Sequence, residues 1–387
     1  LVAATADHAP ALRRLLDEPA ARPARRRPVP VVPVHVFVDE LRLDLKAGRA
    51  RGVVHHTLRA RHDGVQRLPF DAADLTVDEA RLGDLALPVI PDAGGVVVIL
   101  PEPLAAGETV TVSLRFDATP TAGLYFVRGE GKRAQAWTQG AMEDHHHWFP
   151  CFDAPEHLVT TEVRATVPEG WAALSNGALV EKRAVDGGRV RWHWRHDTPH
   201  ALYLLTLVVD QLVEVSGRHG DVTLHHWVPA GHEADAEAMF KRMGAMLDFF
   251  AEATGSPYPY PRYGHVFLQD FMWGGMENTT LTSLTDRVLV PPEVLDEVQV
   301  ERLVAHELAH QWFGDLIAPR GWPELWLNES FATYFEILCM GALEGKDDFA
   351  RRLVNQRDAY LGEAGGRYAR PVVTRNYAHP YVLFDRH

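Results

Sequence analysis

The chain has 387 residues, 46% of them hydrophobic and 24% charged, with a formal net charge of −13. That is long enough for two or three cored domains, and the mix excludes wholesale disorder, collagen and a coiled coil. Acidic residues outnumber basic ones, 52 to 39, and no strongly basic face stands out, so nucleic acid is not an expected partner. Cys151 and Cys339 are too few for a disulfide framework or a four-cysteine zinc site, which favours a reducing, cytoplasmic compartment. The chain starts at Leu1 rather than Met, so a targeting segment ahead of it, and a secreted or periplasmic location, stay open. Apolar stretches such as Ala201 to Val209 are too short to span a bilayer.

Residues 1–33 read as a linker-like lead-in. A short helical pattern around Leu12 to Leu16 runs into a tract of Arg, Ala and Pro that includes Arg22, Pro23, Arg25 and Pro30. The prolines favour a solvated linker over a basic docking tail. Over 34–216 the period is two. Leu41, Leu43 and Leu45 alternate with Arg42, Asp44 and Lys46. Val112, Leu114 and Phe116 repeat the pattern, as do Val163, Ala165 and Val167, and then Val190, Trp192 and Trp194. One apolar and one wet face predict antiparallel sheets. Asn176-Gly177 and Asp186-Gly187-Gly188 supply the positive φ of tight hairpins.

Over 217–387 the period changes to 3.6. Met239, Met243, Met246, Leu247 and Phe250 form one core-facing helical stripe. Pro257, Pro259 and Pro261 end it. Two further helices are predicted, about 293–314 and 323–343. The chain is therefore expected to be α+β and multidomain, an antiparallel all-β domain followed by a mainly α domain.

The second helical stretch contains His306-Glu307-Leu308-Ala309-His310. Residues at i and i+4 share one helix face, so both imidazoles can reach a single ion. A catalytic zinc takes three protein ligands and keeps a fourth position for water. Glu329, 19 residues after His310 on the next helix, is the candidate third ligand. Glu336 lies two turns further on the same face, placed to accept the outer N–H of a ligating histidine. Glu307 is adjacent but not a ligand. It is expected to take the proton of the zinc-bound water and pass it to the leaving amine. With 21 histidines in the chain, a chance HExxH has a probability on the order of a tenth. The surrounding Trp-Leu-Asn-Glu-Ser carries the assignment as much as the motif does.

Upstream stands Gly274-Gly275-Met276-Glu277-Asn278. Paired glycines allow close backbone approach, and the carboxylate can pair with an amine. This segment, then His-Glu-Leu-Ala-His, then Glu329, resembles the gluzincin aminopeptidases, the family of aminopeptidase N and leukotriene hydrolase. Thr138-Gln139-Gly140 and the stretch Trp148 to Asp153 resemble the family's other active-site segment. The likeness runs from about residue 34 to the end. It implies a saddle-like β domain, a thermolysin-like catalytic domain and one zinc ion per chain. It also implies peptide substrates with a free N-terminus, from which single N-terminal residues are removed. By the resemblance, Glu277 binds the substrate's α-ammonium, Gly274, Gly275, Met276 and Asn278 belong to the substrate-binding segment, and Gln139 lines the same pocket.

Two positions depart from the family. It carries Glu or Gln two residues after the Gln of the Thr-Gln pair, as a second anchor for the amine. Here that position is Ala141, which implies a raised KM for free-amine substrates. Glu143 shares a strand face with it if the segment is extended. The family also stabilises the oxyanion with a Tyr in a Tyr-x-Lys-Gly context, and no such motif lies between Glu329 and His387. Tyr377 and Tyr381 lack that context. The expectation is a chain cut short of that Tyr and of a C-terminal helical domain, binding zinc, hydrolysing poorly and exposing apolar helix surface. One lost oxyanion donor costs about 100-fold to 1,000-fold in kcat.

His145-His146-His147 invites a second metal reading. Neighbours in a run do not converge on one ion without special backbone geometry, so these are expected at the surface or a pocket rim. Among other classes, an endopeptidase would need no Glu277. A silent scaffold would be expected to lose a zinc ligand or the base, all of which are present. An epoxide-hydrolysing side activity has no specific residue here.

Overall fold

The computed structural model describes residues 29–366 and 369–384. The lead-in predicted over 1–33 lies almost entirely outside the described residues. The chain divides into two compact units, with the boundary between Leu212 and Val213. Among the described residues no helix is long and apolar enough to cross a membrane. Both cysteines are buried and unpaired.

The first unit is all β. Its largest sheet has eight strands, with Val31–Asp44 near the centre. Burial alternates along Leu158–Pro168, where Val159, Thr161, Val163, Ala165 and Val167 point inward, the pattern of a sheet with one wet face. Most pairings are antiparallel. Val31–Asp44 runs antiparallel to Arg49–Ala60 but parallel to Leu158–Pro168, with Val38 opposite Val54 on one side and Val163 on the other. The Asp186-Gly187-Gly188 turn closes a true hairpin between Ala178–Val185 and Arg189–Ala201. The Asn176-Gly177 turn does not. It hands the chain from Ala172–Ser175, in a four-stranded sheet, to Ala178–Val185 in the eight-stranded one. Gly177 sits at φ 77° with the Arg195 carbonyl 2.0 Å from where a Cβ would be. Asn176 braces the crossing: its amide donates to the Leu204 carbonyl at 2.9 Å and its oxygen accepts from Thr206 N–H at 2.7 Å.

The second unit opens with strands, not helices. Val213–His219, Val222–Val228, Arg262–Leu268, Leu281–Thr285 and Gly275–Met276 form a five-stranded sheet in that spatial order. The three central strands are parallel and both edges antiparallel. Parallel strands covered on both faces lose the period-two signal. Arg262–Leu268 is buried at every position, and so is Leu281–Thr285. The Met239-to-Phe250 stripe is buried throughout but belongs to two helices, Glu233–Met239 and Met243–Thr254. These form the crossover between parallel strands.

The motif helix is Val300–His310, shorter than predicted, because Gln299 adopts a left-handed conformation and separates it from the turn Leu295–Val298. Trp326–Glu344 follows, and Gly345, at φ 108°, starts a further helix, Lys346–Ala364, that the periodicity reading missed. The motif helix packs Val304, Ala305, Leu308 and Ala309 into a core with Phe250, Phe267 and Trp312. Burying one large apolar side chain of this kind stabilises by roughly 1.5–3 kcal/mol. That packing fixes the rotation of the helix, and with it the direction of His306 and His310. Leu316, Ile317, Phe331 and Tyr334 are exposed.

Candidate metal centre and its neighbouring carboxylates

One helical turn brings His306 over His310. Their Nε2 atoms lie 3.1 Å apart, with the rings nearly perpendicular at 81°. Glu329, in the first turn of Trp326–Glu344, brings Oε2 to 3.5 Å from the first and 3.9 Å from the second. Zinc holds such ligands at roughly 2.0–2.2 Å in a tetrahedron, which puts ligand atoms about 3.4 Å from one another. The three edges fit an ion of that size. The donor set, two imidazoles and a carboxylate, suits zinc as well.

The outer nitrogens are held too. His310 Nδ1 donates to the Phe313 carbonyl at 3.0 Å, which leaves Nε2 as the free lone pair. His306 Nδ1 lies 3.5 Å from Glu336 Oε2, and the other oxygen of Glu336 accepts from Arg302 Nε. Arg302 sits one helical turn before His306. Sequence reading missed it, although its i−4 spacing from His306 on the motif helix was a signal.

The cage is electrostatically lopsided. Burial opposes a charge on His306, but hydrogen bonds to Glu329 and Glu336, with the charges of Glu307 and Glu329, outweigh it and lift the pKa to about 10. Burial dominates at His310 and lowers its pKa to about 4, so that ring stays neutral. Burial, then the neighbouring Glu329 charge against the opposing pull of His306, pushes Glu307 up to about 8. Glu307 Oε2 is buried with no hydrogen-bond partner among the described residues.

Gly274 to Asn278 runs past this cage as the edge of the sheet. Gly275 and Met276 pair with Leu284 and Ser283. A Cβ at Gly275 would stand 2.2 Å from Glu307 Oε1, so only glycine lets the strand lie against that carboxylate. Glu277 is buried, and burial followed by the charges of Glu329 and Glu307 pushes its carboxyl well up. Asn278 is also buried, donating to Ser283 Oγ at 3.1 Å.

Glu277, Glu307 and His310 form a second group whose ligand atoms lie within 4.8 Å of one another. It shares His310 with the first group, and with Nδ1 committed to Phe313 that ring has one nitrogen to offer. An ion held by His306, His310 and Glu329 leaves Glu277 and Glu307 as a pair of unligated carboxylates. Such a pair favours a cation between them.

Gln139 lies in the first unit, buried just beyond the strand Gln135–Thr138, and its N–H donates to the Gly123 carbonyl at 3.0 Å. Residues 141–144 form a turn, not a strand, so the premise that would put Glu143 on one strand face with Ala141 fails. The expectation for the histidine run fails in part. His145 is fully buried, accepting from the Trp148 indole at Nδ1. His146 and His147 are partly exposed, and each lies by an aspartate, Asp153 at 2.9 Å and Asp74 at 2.8 Å. Tyr381 stacks on Trp273, beside the glycine pair, and on His379.

Comparison with known proteins agrees along the chain. Residues 39–204 match the family model of the peptidase M1 N-terminal domain, and residues 239–387 match that of the peptidase family M1 domain. The chain is 34% identical over 258 residues to aminopeptidase N of Bos taurus, an alignment covering 62% of this chain and 27% of that protein. It is 29% identical over 319 residues to aminopeptidase N of Streptomyces lividans, covering 79% and 37%. It is 32% identical over 197 residues to glutamyl aminopeptidase of Homo sapiens, covering 49% and 20%. The alignments thus span between 20% and 37% of these relatives' lengths. With an N-terminal and a peptidase model of one family matched in order, and aminopeptidases N among its relatives, the chain belongs to peptidase family M1, the gluzincin aminopeptidases.

Proposed function

We propose that this chain carries the machinery of a zinc aminopeptidase, which removes single residues from the free N-terminus of peptides. The observation that carries the reading is the buried carboxylate of Glu277 beside Glu307 and His310. A carboxyl pair this close to a candidate metal ligand can pair with a substrate's terminal ammonium, which would itself favour the ionised form.

His306, His310 and Glu329 would hold the zinc, with Glu336 and Arg302 behind His306. When bound there, zinc supplies Lewis acidity for the scissile carbonyl and the attacking water. Glu307 takes one proton from that water as its oxygen bonds to the carbonyl carbon. The same carboxyl then gives the proton to the leaving nitrogen as the C–N bond breaks, so a water is added across the bond and Glu307 is restored. Its raised pKa suits both halves of that transfer. Glu277 pairs with the substrate ammonium, and Gly275 lets the substrate-binding strand lie against the base.

The test is hydrolysis of a fluorogenic aminoacyl amide by zinc-loaded protein, with free and N-acetylated substrates side by side and Glu307→Gln as background. Cleavage of the free form alone is the expected result. Equal cleavage of both would overturn the role of Glu277.

A further inference from the structure

Gln311 follows directly on His310 and is fully buried. Both ends of its amide are used. Nε2 donates to the Glu277 carbonyl at 3.0 Å, and Oε1 accepts from the Thr280 N–H at 2.9 Å. The Tyr258 hydroxyl lies 3.2 Å from that same Oε1 and 3.2 Å from the Arg262 carbonyl, with one proton to share between them. A single side chain rooted at the end of the motif helix thus grips both ends of residues 277–280.

That segment needs a grip. Thr280 sits at φ 67°, in the left-handed region that a β-branched residue rarely adopts. Such a conformation persists only where its surroundings over-determine it. The Glu277 carboxylate hangs from the residue whose carbonyl Gln311 holds, while Gln311 is bonded in sequence to His310. The amide is suited to the task because it carries a donor and an acceptor on separate atoms, where an ionised Glu offers acceptors alone and Met only a weak acceptor.

We propose that Gln311 is a positioning residue that sets the Glu277 carboxylate in register with the metal cage, and so tunes recognition of the substrate's terminal amine. The inference rests on the aminopeptidase reading. Gln311 itself faces no substrate. It acts through the backbone of Glu277.

The experiment compares zinc-loaded wild type, Gln311→Met and Tyr258→Phe. It reads KM and kcat on a free aminoacyl amide. It also reads, by calorimetry, the Kd of leucinol, a free amine with no scissile bond, against N-acetyl-leucinol. Gln311→Met is expected to keep one zinc per chain and to raise both KM and the leucinol Kd about tenfold, with a smaller fall in kcat. Tyr258→Phe is expected to move the same quantities the same way by about threefold, since it removes one shared donor. A Gln311→Met protein with the wild-type preference for leucinol, or with a loss confined to kcat, overturns the proposal. If that variant does not fold, Tyr258→Phe decides, and an unchanged KM and Kd overturns it. A wild type with no preference for leucinol overturns the aminopeptidase reading and this inference with it. A wild-type preference that survives both substitutions overturns this inference alone.

Discussion

His56 in the β unit and His306 in the second unit carry the same side chain in similar enclosure, and their acid–base behaviour is opposite. His56 is fully buried, with Nε2 donating to the Pro150 carbonyl at 2.8 Å, and burial lowers its pKa to about 4. His306 has 16% of its side chain exposed, and its pKa rises to about 10. The difference is the neighbours. Phe70 and Phe152 pack against the first ring, whereas Glu329 and Glu336 flank the second. Burial alone makes a histidine neutral, and a wall of carboxylates makes the same burial favour a cation. His56 serves as polar filling, as His226 and His265 do in the second unit, whereas His306 belongs to the candidate cation site.

The strongest test of that contrast removes the base from the cation site. Glu307→Gln is expected to lower kcat by about 100-fold to 10,000-fold. Zinc content should stay at one per chain by atomic absorption, because Glu307 is not among the three proposed ligands. Loss of zinc together with activity would mean that the second group, through Glu277 and Glu307, holds the metal.

The next test is on the neutral side. His56 stays unprotonated in the fold while the unfolded chain takes a proton below about pH 6.5. It therefore costs nothing above that pH, and the fold loses stability as pH falls from about 6.5 toward 4. His145 behaves alike, with burial lowering its pKa to about 4. Each loss amounts to about 3 kcal/mol by the bottom of that window. His56→Gln keeps a donor for Pro150 and removes the titration. Urea melts at pH 7 and pH 4 should show its acid loss reduced by that amount, and an unchanged loss would remove His56 from the comparison.

Gly275→Ala pushes a methyl into Glu307, and kcat is expected to fall by about 100-fold with zinc retained. Full activity would mean that the edge strand yields. The smallest expected effect is on the anionic wall itself. Glu336→Gln should weaken zinc binding about 10-fold to 100-fold in a chelator competition, and equal affinity would show that the wall does not tune the site.

Much of the site was legible because it is local. His306, His310 and Glu329 sit within 24 residues, and helical spacing puts the two histidines on one face. The all-β character of the first half was legible from alternation. What was not legible is what the second unit buries on both sides. Arg262–Leu268 and Leu281–Thr285 are enclosed at every position, so no period of two marks them. Asn176-Gly177 signalled a turn correctly, but no local pattern tells whether a turn pairs two strands or moves the chain between sheets. Gln311 gave no signal, since its partners are 31 and 34 positions away.

The parallel pairing in the first unit also bears on how the chain folds. His35 meets Thr160 across 125 residues, and the seam beside it closes only when Leu158–Pro168 has arrived. The proposed ligands His306, His310 and Glu329, by contrast, come from two successive helices. Long-range pairing delays folding and local pairing hastens it. The two helices of the cage can therefore meet soon after both are made, whereas the eight-stranded sheet must hold its Val31–Asp44 edge unpaired until Leu158–Pro168 has been made.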